Sequence, residues 1–134
     1  MFMYLTTESF SINKNKLEIE TRENLIIVMF VSKNCPVCNK NKPYFEKLYK
    51  YYPSITFAVC NLDNNEKVLK LMRDLRIPID SVPTYALFKF GIFNRFLNMI
   101  VPDRDSIEKN LIHELSLKKP HFSRKTRYVT LSEM

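Results

Sequence analysis

Leu25-Ile26-Ile27-Val28-Met29-Phe30-Val31-Ser32-Lys33-Asn34-Cys35-Pro36-Val37-Cys38 is the stretch that decides the fold. Its first seven residues are apolar without a break and rich in β-branched side chains. That length and composition suit a central strand buried on both faces. Ser32, Lys33 and Asn34 turn the chain, and a helical pattern starts near Cys35. Pro36 falls in the first helical turn, where a missing N–H is harmless. Two cysteines at i and i+3 on a helix start are close enough to bridge. The first of them also faces unsatisfied backbone N–H groups and the positive end of the helix, and both favour thiolate over thiol. The thiolate is the nucleophile of disulfide exchange. A bare CxxC is also half of a zinc site. Here a second CxxC is absent, and Cys60, His113 and His121 occur singly without ligand spacing, so no metal is expected.

Downstream, Phe45, Leu48, Tyr49 and Tyr52 recur at helical spacing, placing them inward, with Tyr44 and Tyr51 off the stripe and exposed. Pro43 should kink this helix and Pro53 ends it. Ile55 to Val59 reads as the next strand, with Cys60 a buried structural thiol at its end. Asp63-Asn64-Asn65-Glu66 supplies a helix cap, and Val68, Leu71, Met72 and Leu75 follow with the helical period. A loop with Pro78 and Pro83 precedes two strands, Thr84 to Phe90 and Ile92 to Leu97, joined at Gly91 as a hairpin. Asp103 or Asp105 opens a last helix, with Ile107, Leu111, Ile112 and Leu115 inward. Upstream, Tyr4 to Phe10 reads as a short strand and a turn capped by Thr6 or Thr7, whereas the polar residues 11–24 support no assignment. The order is that of one α/β domain.

Composition bounds the function. The chain has 134 residues, 46% hydrophobic and 26% charged, enough for a self-sufficient core. An apolar run of seven is far short of the about 20 residues of a membrane span. The opening MFMYLTTESF has no basic start followed by an apolar stretch, so no secretory leader is expected, and a reducing, cytoplasmic setting is. A single glycine, Gly91, cannot write a phosphate-binding loop or a dinucleotide fingerprint, and no cofactor is expected. Of the net charge of +7, the stretch 118–134 holds +4, from Lys118, Lys119, Arg124, Lys125 and Arg127 against Glu133. Residues 1–117 therefore read as the domain and 118–134 as a basic, solvated tail. Phe122 and Tyr128 within that tail are too sparse a signal for nucleic-acid binding.

Over residues 1–117 the chain resembles the thioredoxin family. The resemblance rests on Cys35-Pro36-Val37-Cys38, on Pro43 five residues after Cys38, on Asn61-Leu62-Asp63, on Val82-Pro83-Thr84, on Gly91 eight residues after Pro83, and on the opening Leu5 to Phe10. It implies a thioredoxin fold, a central mixed sheet flanked by helices. It also implies that Cys35 attacks a protein disulfide, that Cys38 resolves the mixed disulfide, and that Val82, Pro83 and Thr84, with a cis bond before Pro83, face the cysteines and bind substrate. Five positions depart from the family. Asn34 stands where it has Trp, Pro36-Val37 where it has Gly-Pro, and Met29 and Val59 where it has a buried Asp and its Lys. Two functions follow from the balance: a thiol–disulfide oxidoreductase acting on protein disulfides or dithiols, or a thioredoxin-fold structural or interaction subunit of a larger assembly with a latent disulfide. Scarce Gly, no Trp and abundant Asn, Lys, Ile and Phe point to an AT-rich coding sequence, as in intracellular bacteria or large DNA viruses; a viral source would add the virion as a location.

The same residues set an expectation for redox poise. Cys35 lies at a helix start with Lys33 two residues before it and no acid until Glu46, which favours its thiolate. Stabilising the thiolate stabilises the reduced form and makes the disulfide more oxidising. Val37 adds no positive charge, so the effect stops short of the strongest oxidases. Equilibration against a glutathione series should give a potential of roughly −180 to −250 mV, and a value near or below about −270 mV would overturn the argument.

Overall fold

The computed structural model describes residues 1–97 and 104–115, the side chains of 104–107 excepted. Seven strands, β1 (Phe2–Leu5), β2 (Phe10–Asn13), β3 (Lys16–Ile19), β4 (Leu25–Val31), β5 (Thr56–Asn61), β6 (Thr84–Lys89) and β7 (Ile92–Phe96), form one mixed sheet in the order β1-β5-β4-β6-β7-β3-β2. Strands β1 and β4 run parallel to β5, and the remaining neighbours are antiparallel. Helices α1 (Pro36–Phe45), α2 (Glu66–Asp74) and α3 (Arg104–Leu115) cover the faces. The architecture is the thioredoxin fold.

Strand β4 sits at the centre, and its alternation divides the core. Ile27, Met29 and Val31 join Cys38 and Phe45 of α1, Leu111 of α3, and Tyr85 and Leu87 of β6. Ile26, Val28 and Phe30 join Val68 and Met72 of α2. Each of these fully buried side chains contributes about 1.5–3 kcal/mol relative to exposure. The α3 helix is also tied down by Arg95 of β7, which donates to the Glu114 carboxylate at 3.1 Å and to the Glu114 carbonyl at 2.7 Å.

The region after β1 holds the main surprise. Thr6 caps a single 3-10 turn, Thr7–Ser9, and the polar stretch that follows folds as the β2–β3 hairpin. Its Phe10, Leu17 and Ile19 pack in the core cluster of α2, with the Phe10 ring 6.2 Å from both Phe30 and Phe88. The hairpin turns at Lys14 and Asn15, both at positive φ. Helix α1 also ends earlier than its periodicity suggests. It stops at Phe45, and a 3-10 turn, Leu48–Lys50, takes over. The tighter winding advances the phase, so Leu48 and Tyr52 stay buried while Tyr49 turns out to 36% exposure. Tyr44 and Tyr51, expected outside, are partly buried against the core instead. On α3, Leu111 is buried, Ile112 and Leu115 pack against it, and His113 is exposed. Asp105 and Ile107 fall within α3, but their side chains, like Asp103 and the basic tail 118–134, lie outside what is described.

Strands β6 and β7 pair with Lys89 opposite Ile92, leaving Phe90 and Gly91 as a two-residue turn with φ of 52° and 81°. The β3 backbone comes in against this turn, with the Ile19 N–H donating to the Gly91 carbonyl at 2.7 Å. A Cβ at Gly91 would stand 2.5 Å from the Ile19 carbonyl oxygen. Positive φ and steric contact act together, and the atom met at 2.5 Å is backbone rather than a flexible side-chain end. Gly91→Ala should therefore lower stability by about 2–3 kcal/mol in urea unfolding. A loss below about 0.5 kcal/mol would show that β3 yields at no cost.

Candidate functional site

The two cysteines sit where β4 gives way to α1. Cys35 is the N-cap residue, in extended conformation, and Pro36 opens the helix. Cys35 and Cys38 are joined in a disulfide with their Cα atoms 5.2 Å apart. The Cys38 N–H points at the Cys35 sulfur, with 3.1 Å between N and Sγ. Cys35 keeps 8% of its surface exposed, whereas Cys38 keeps 1% and faces the core. Helix geometry explains the asymmetry: the N-cap lies at the open end, and the residue three positions on lies on the inward stripe with Asn41 and Phe45.

The loop before β6 completes the site. The Cys35 Sγ lies 3.6 Å from the Val82 carbonyl oxygen. The Val82–Pro83 peptide bond is cis. Val82, Pro83 and Thr84 are each half-buried, and the Thr84 hydroxyl donates to the Ser81 carbonyl. A cleft of about 410 Å³ opens beside Val82, lined among others by Ser32, Asp63, Glu66, Ile79 and Asp80. All five residues singled out from the sequence thus belong to one end of the sheet.

Asp63 has a different part from the helix cap expected of it. Its carboxylate accepts the Ser32 hydroxyl at 2.8 Å and the Lys33 N–H at 2.7 Å, which pins the turn that delivers Cys35. Asn39 holds the same turn from the helix side, donating to the Lys33 carbonyl at 3.1 Å. Helix α2 starts instead from Asn65, whose side chain accepts the Thr7 N–H at 2.7 Å and donates to the Asn61 carbonyl at 2.7 Å. Cys60 stands apart from this chemistry. It is free, lies within β5 and is buried, and burial pushes its thiol up to about 12. Among the described residues no three His, Cys, Asp or Glu side chains are grouped to hold a metal ion.

The bond from the Lys33 N–H, then the Ser32 hydroxyl and the Lys33 charge, hold the Asp63 carboxyl below its ordinary 3.8. A depressed carboxylate contributes stability above its unfolded pKa and loses it as pH falls through the folded one. Wild type should therefore melt above Asp63→Asn from neutral pH down to about pH 4. The gap should close at lower pH, as Asp63 itself becomes neutral. A gap of constant size across thermal melts down to about pH 2 would show that charge is irrelevant to this anchor.

Comparison with known proteins agrees with this geometry. The family model described as Thioredoxin matches residues 3–111. A search of curated protein sequences found no match. Solved structures similar to the chain include a Malassezia sympodialis thioredoxin, with TM-score 0.57 and 13% identity over 85% of this chain and 90% of that one. Mitochondrial thioredoxin 3 of Saccharomyces cerevisiae in its oxidised form gives 0.54 and 22% over 72% and 81%. Plasmodium falciparum thioredoxin gives 0.54 and 26% over 69% and 82%. By family match, sheet order and paired cysteines at the head of α1, the chain belongs to the thioredoxin family.

Proposed function

We propose that the chain is a thiol–disulfide oxidoreductase that exchanges disulfides with protein substrates through Cys35 and Cys38. The observation that carries this reading is the placement of Cys35: at the N-terminus of α1, with the Cys38 N–H 3.1 Å from its sulfur and part of its surface open. In the reduced form that N–H and the helix end favour a Cys35 thiolate. The thiolate attacks one sulfur of a substrate disulfide; a mixed disulfide forms, and the other substrate sulfur leaves as a thiolate. Cys38 then loses its proton and attacks Cys35. The Cys35–Cys38 bond forms, the bond to substrate breaks, and the second substrate sulfur leaves with the electron pair. The substrate is reduced by two electrons and the chain is oxidised by two; the reverse sequence oxidises a dithiol.

Substrate docks as an extended segment against Val82, Pro83 and Thr84 under this reading, with the cleft beside Val82 taking its flanking residues. The setting we propose is the reducing interior of a cell, where small thiols return the disulfide to the dithiol. The alternative of a structural subunit with a latent disulfide draws no support from the comparisons. In an insulin-reduction assay with dithiothreitol as donor, wild type should accelerate precipitation and Cys35→Ser should return the rate to that of the donor alone. Cys38→Ser should lose turnover and accumulate a mixed disulfide visible by mass spectrometry. Wild type no faster than dithiothreitol alone would sink the proposal.

A further inference from the structure

Val59, Met29 and Tyr85 lie side by side across β5, β4 and β6. All three are buried in the core cluster that holds Cys38. Tyr85 follows Pro83 by two residues, so it leaves the same face of the chain one pleat deeper, about 7 Å further from the reactive end. Its ring packs 5.6 Å from Phe45. Phe45 in turn shares the inward stripe of α1 with Cys38 and Asn41. Tyr85 is 2% exposed, and its hydroxyl has no hydrogen-bond partner among the described residues. Burial raises its pKa further above the ordinary 10.0, so the group stays protonated and can only donate to an anion. Burying a hydroxyl without a hydrogen-bond partner opposes folding, a cost that phenylalanine would avoid.

The reduced state supplies a use for that hydroxyl. Resolution of a mixed disulfide needs Cys38 as a thiolate, yet burial in apolar surroundings opposes ionisation. Cys60 shows the size of this effect, with burial alone lifting its thiol to about 12. The groups packed around Cys38 offer little relief. Strands β4 and β5 present Met29 and Val59, β6 presents Leu87 beside Tyr85, and α1 presents Asn41 and Phe45. Helix α3 presents Leu111, and its buried Glu108 accepts the Tyr52 hydroxyl at 3.1 Å. Tyr44, Tyr51 and Tyr52 of the same layer each have an interaction of their own, and Tyr85 is the tyrosine of the layer whose buried hydroxyl has no hydrogen-bond partner among the described residues.

We infer that Tyr85 is a positioning residue whose hydroxyl donates a hydrogen bond to the Cys38 thiolate once the disulfide opens, promoting release of substrate from Cys35. The inference rests on the oxidoreductase reading for its consequence, but the hydrogen bond itself is testable without turnover. Tyr85 remains protonated throughout. The Cys38 proton goes to solvent, its electron pair forms the bond to Cys35, and the substrate sulfur departs with the pair of the broken bond.

In a Cys35→Ala background, Cys38 is the single thiol of α1, and the ultraviolet absorbance of its thiolate can be followed against pH. Adding Tyr85→Phe should raise the Cys38 pKa by about one unit, a tenfold loss of thiolate at a given pH. The oxidised Tyr85→Phe protein, still carrying both cysteines, should melt no lower than wild type, because the hydroxyl it loses has no partner among the described residues. Single-turnover reaction with a disulfide peptide should show an unchanged first step and slower release. An unchanged Cys38 pKa would overturn the inference, and so would a lower melting temperature of the oxidised variant with an unaltered release step. A pKa shift in a protein without turnover would support the hydrogen bond while defeating the proposed function, so the two failures are distinguishable.

Discussion

Burial of β4 on both faces is the constraint on which the rest of the molecule depends. A strand with Ile26 to Val31 all inside needs cover above and below, and the chain meets that need with unlike materials. One face takes α1 and α3; the other takes α2 and the β2–β3 hairpin. Because the β4–α1–β5 crossover is parallel, its helix begins just beyond the C-terminal end of the strand. That connection fixes Cys35 at a helix N-terminus, while the antiparallel pairing of β6 brings Val82 to the same end of the sheet. The reactive end is therefore a by-product of sheet topology, refined by the Asp63 anchor on the Ser32–Lys33 turn.

Where local signals dominated, residues alone were sufficient. The apolar run of β4, the cap at Cys35 with Pro36 behind it, and the β6–β7 turn at Gly91 each follow from a period or a turn preference read within a few positions. The β2–β3 hairpin escaped because its turn adopts positive φ at Lys14 and Asn15 without a glycine to announce it. Its strands are short, and only Phe10, Leu17 and Ile19 are buried in them, so no alternation stands out. The early end of α1 escaped because a 3-10 turn preserves the inward direction of Leu48 and Tyr52 and mimics a continuing helix. Asp63 was legible as a cap and not as an anchor, since its partners lie about thirty residues earlier in the chain. Tyr85 was legible only as a strand residue; what distinguishes it is a hydroxyl without a partner among the described residues, a property of the packed core and not of the sequence.

Met29 and Val59 change the electrostatics of the site more than they change its shape. They face each other across β4 and β5, both buried, and so remove charge from the layer beneath the disulfide without leaving a gap in the sheet. Interactions that decide protonation then come from the ends of elements. A helix N-terminus contributes up to about 2 kcal/mol to a nearby anion in partly buried geometry, and only within its first turn. Cys35 is placed to receive that contribution together with the Cys38 N–H. Cys38 lies at the third helical position but turns into the apolar layer, where desolvation acts in the opposite direction.

The two sulfurs are thus made unequal by position, and under the proposed function that inequality orders the exchange. A thiol at the open helix end ionises more readily and meets substrate first; a thiol in the dry layer ionises reluctantly and reacts only when a sulfur is already bonded beside it. Proximity compensates for reluctance in that second step, because an intramolecular attack needs only a small thiolate fraction to be fast. A neutral donor suits this layer better than a buried charge. It strengthens the thiolate when the disulfide is open and carries no charge to desolvate when it is closed, whereas an uncompensated carboxylate would cost several kcal/mol in the oxidised state. With Met29 and Val59 excluding charge from the row beneath the cysteines, a hydroxyl is the polar group that the same row can hold in both redox states.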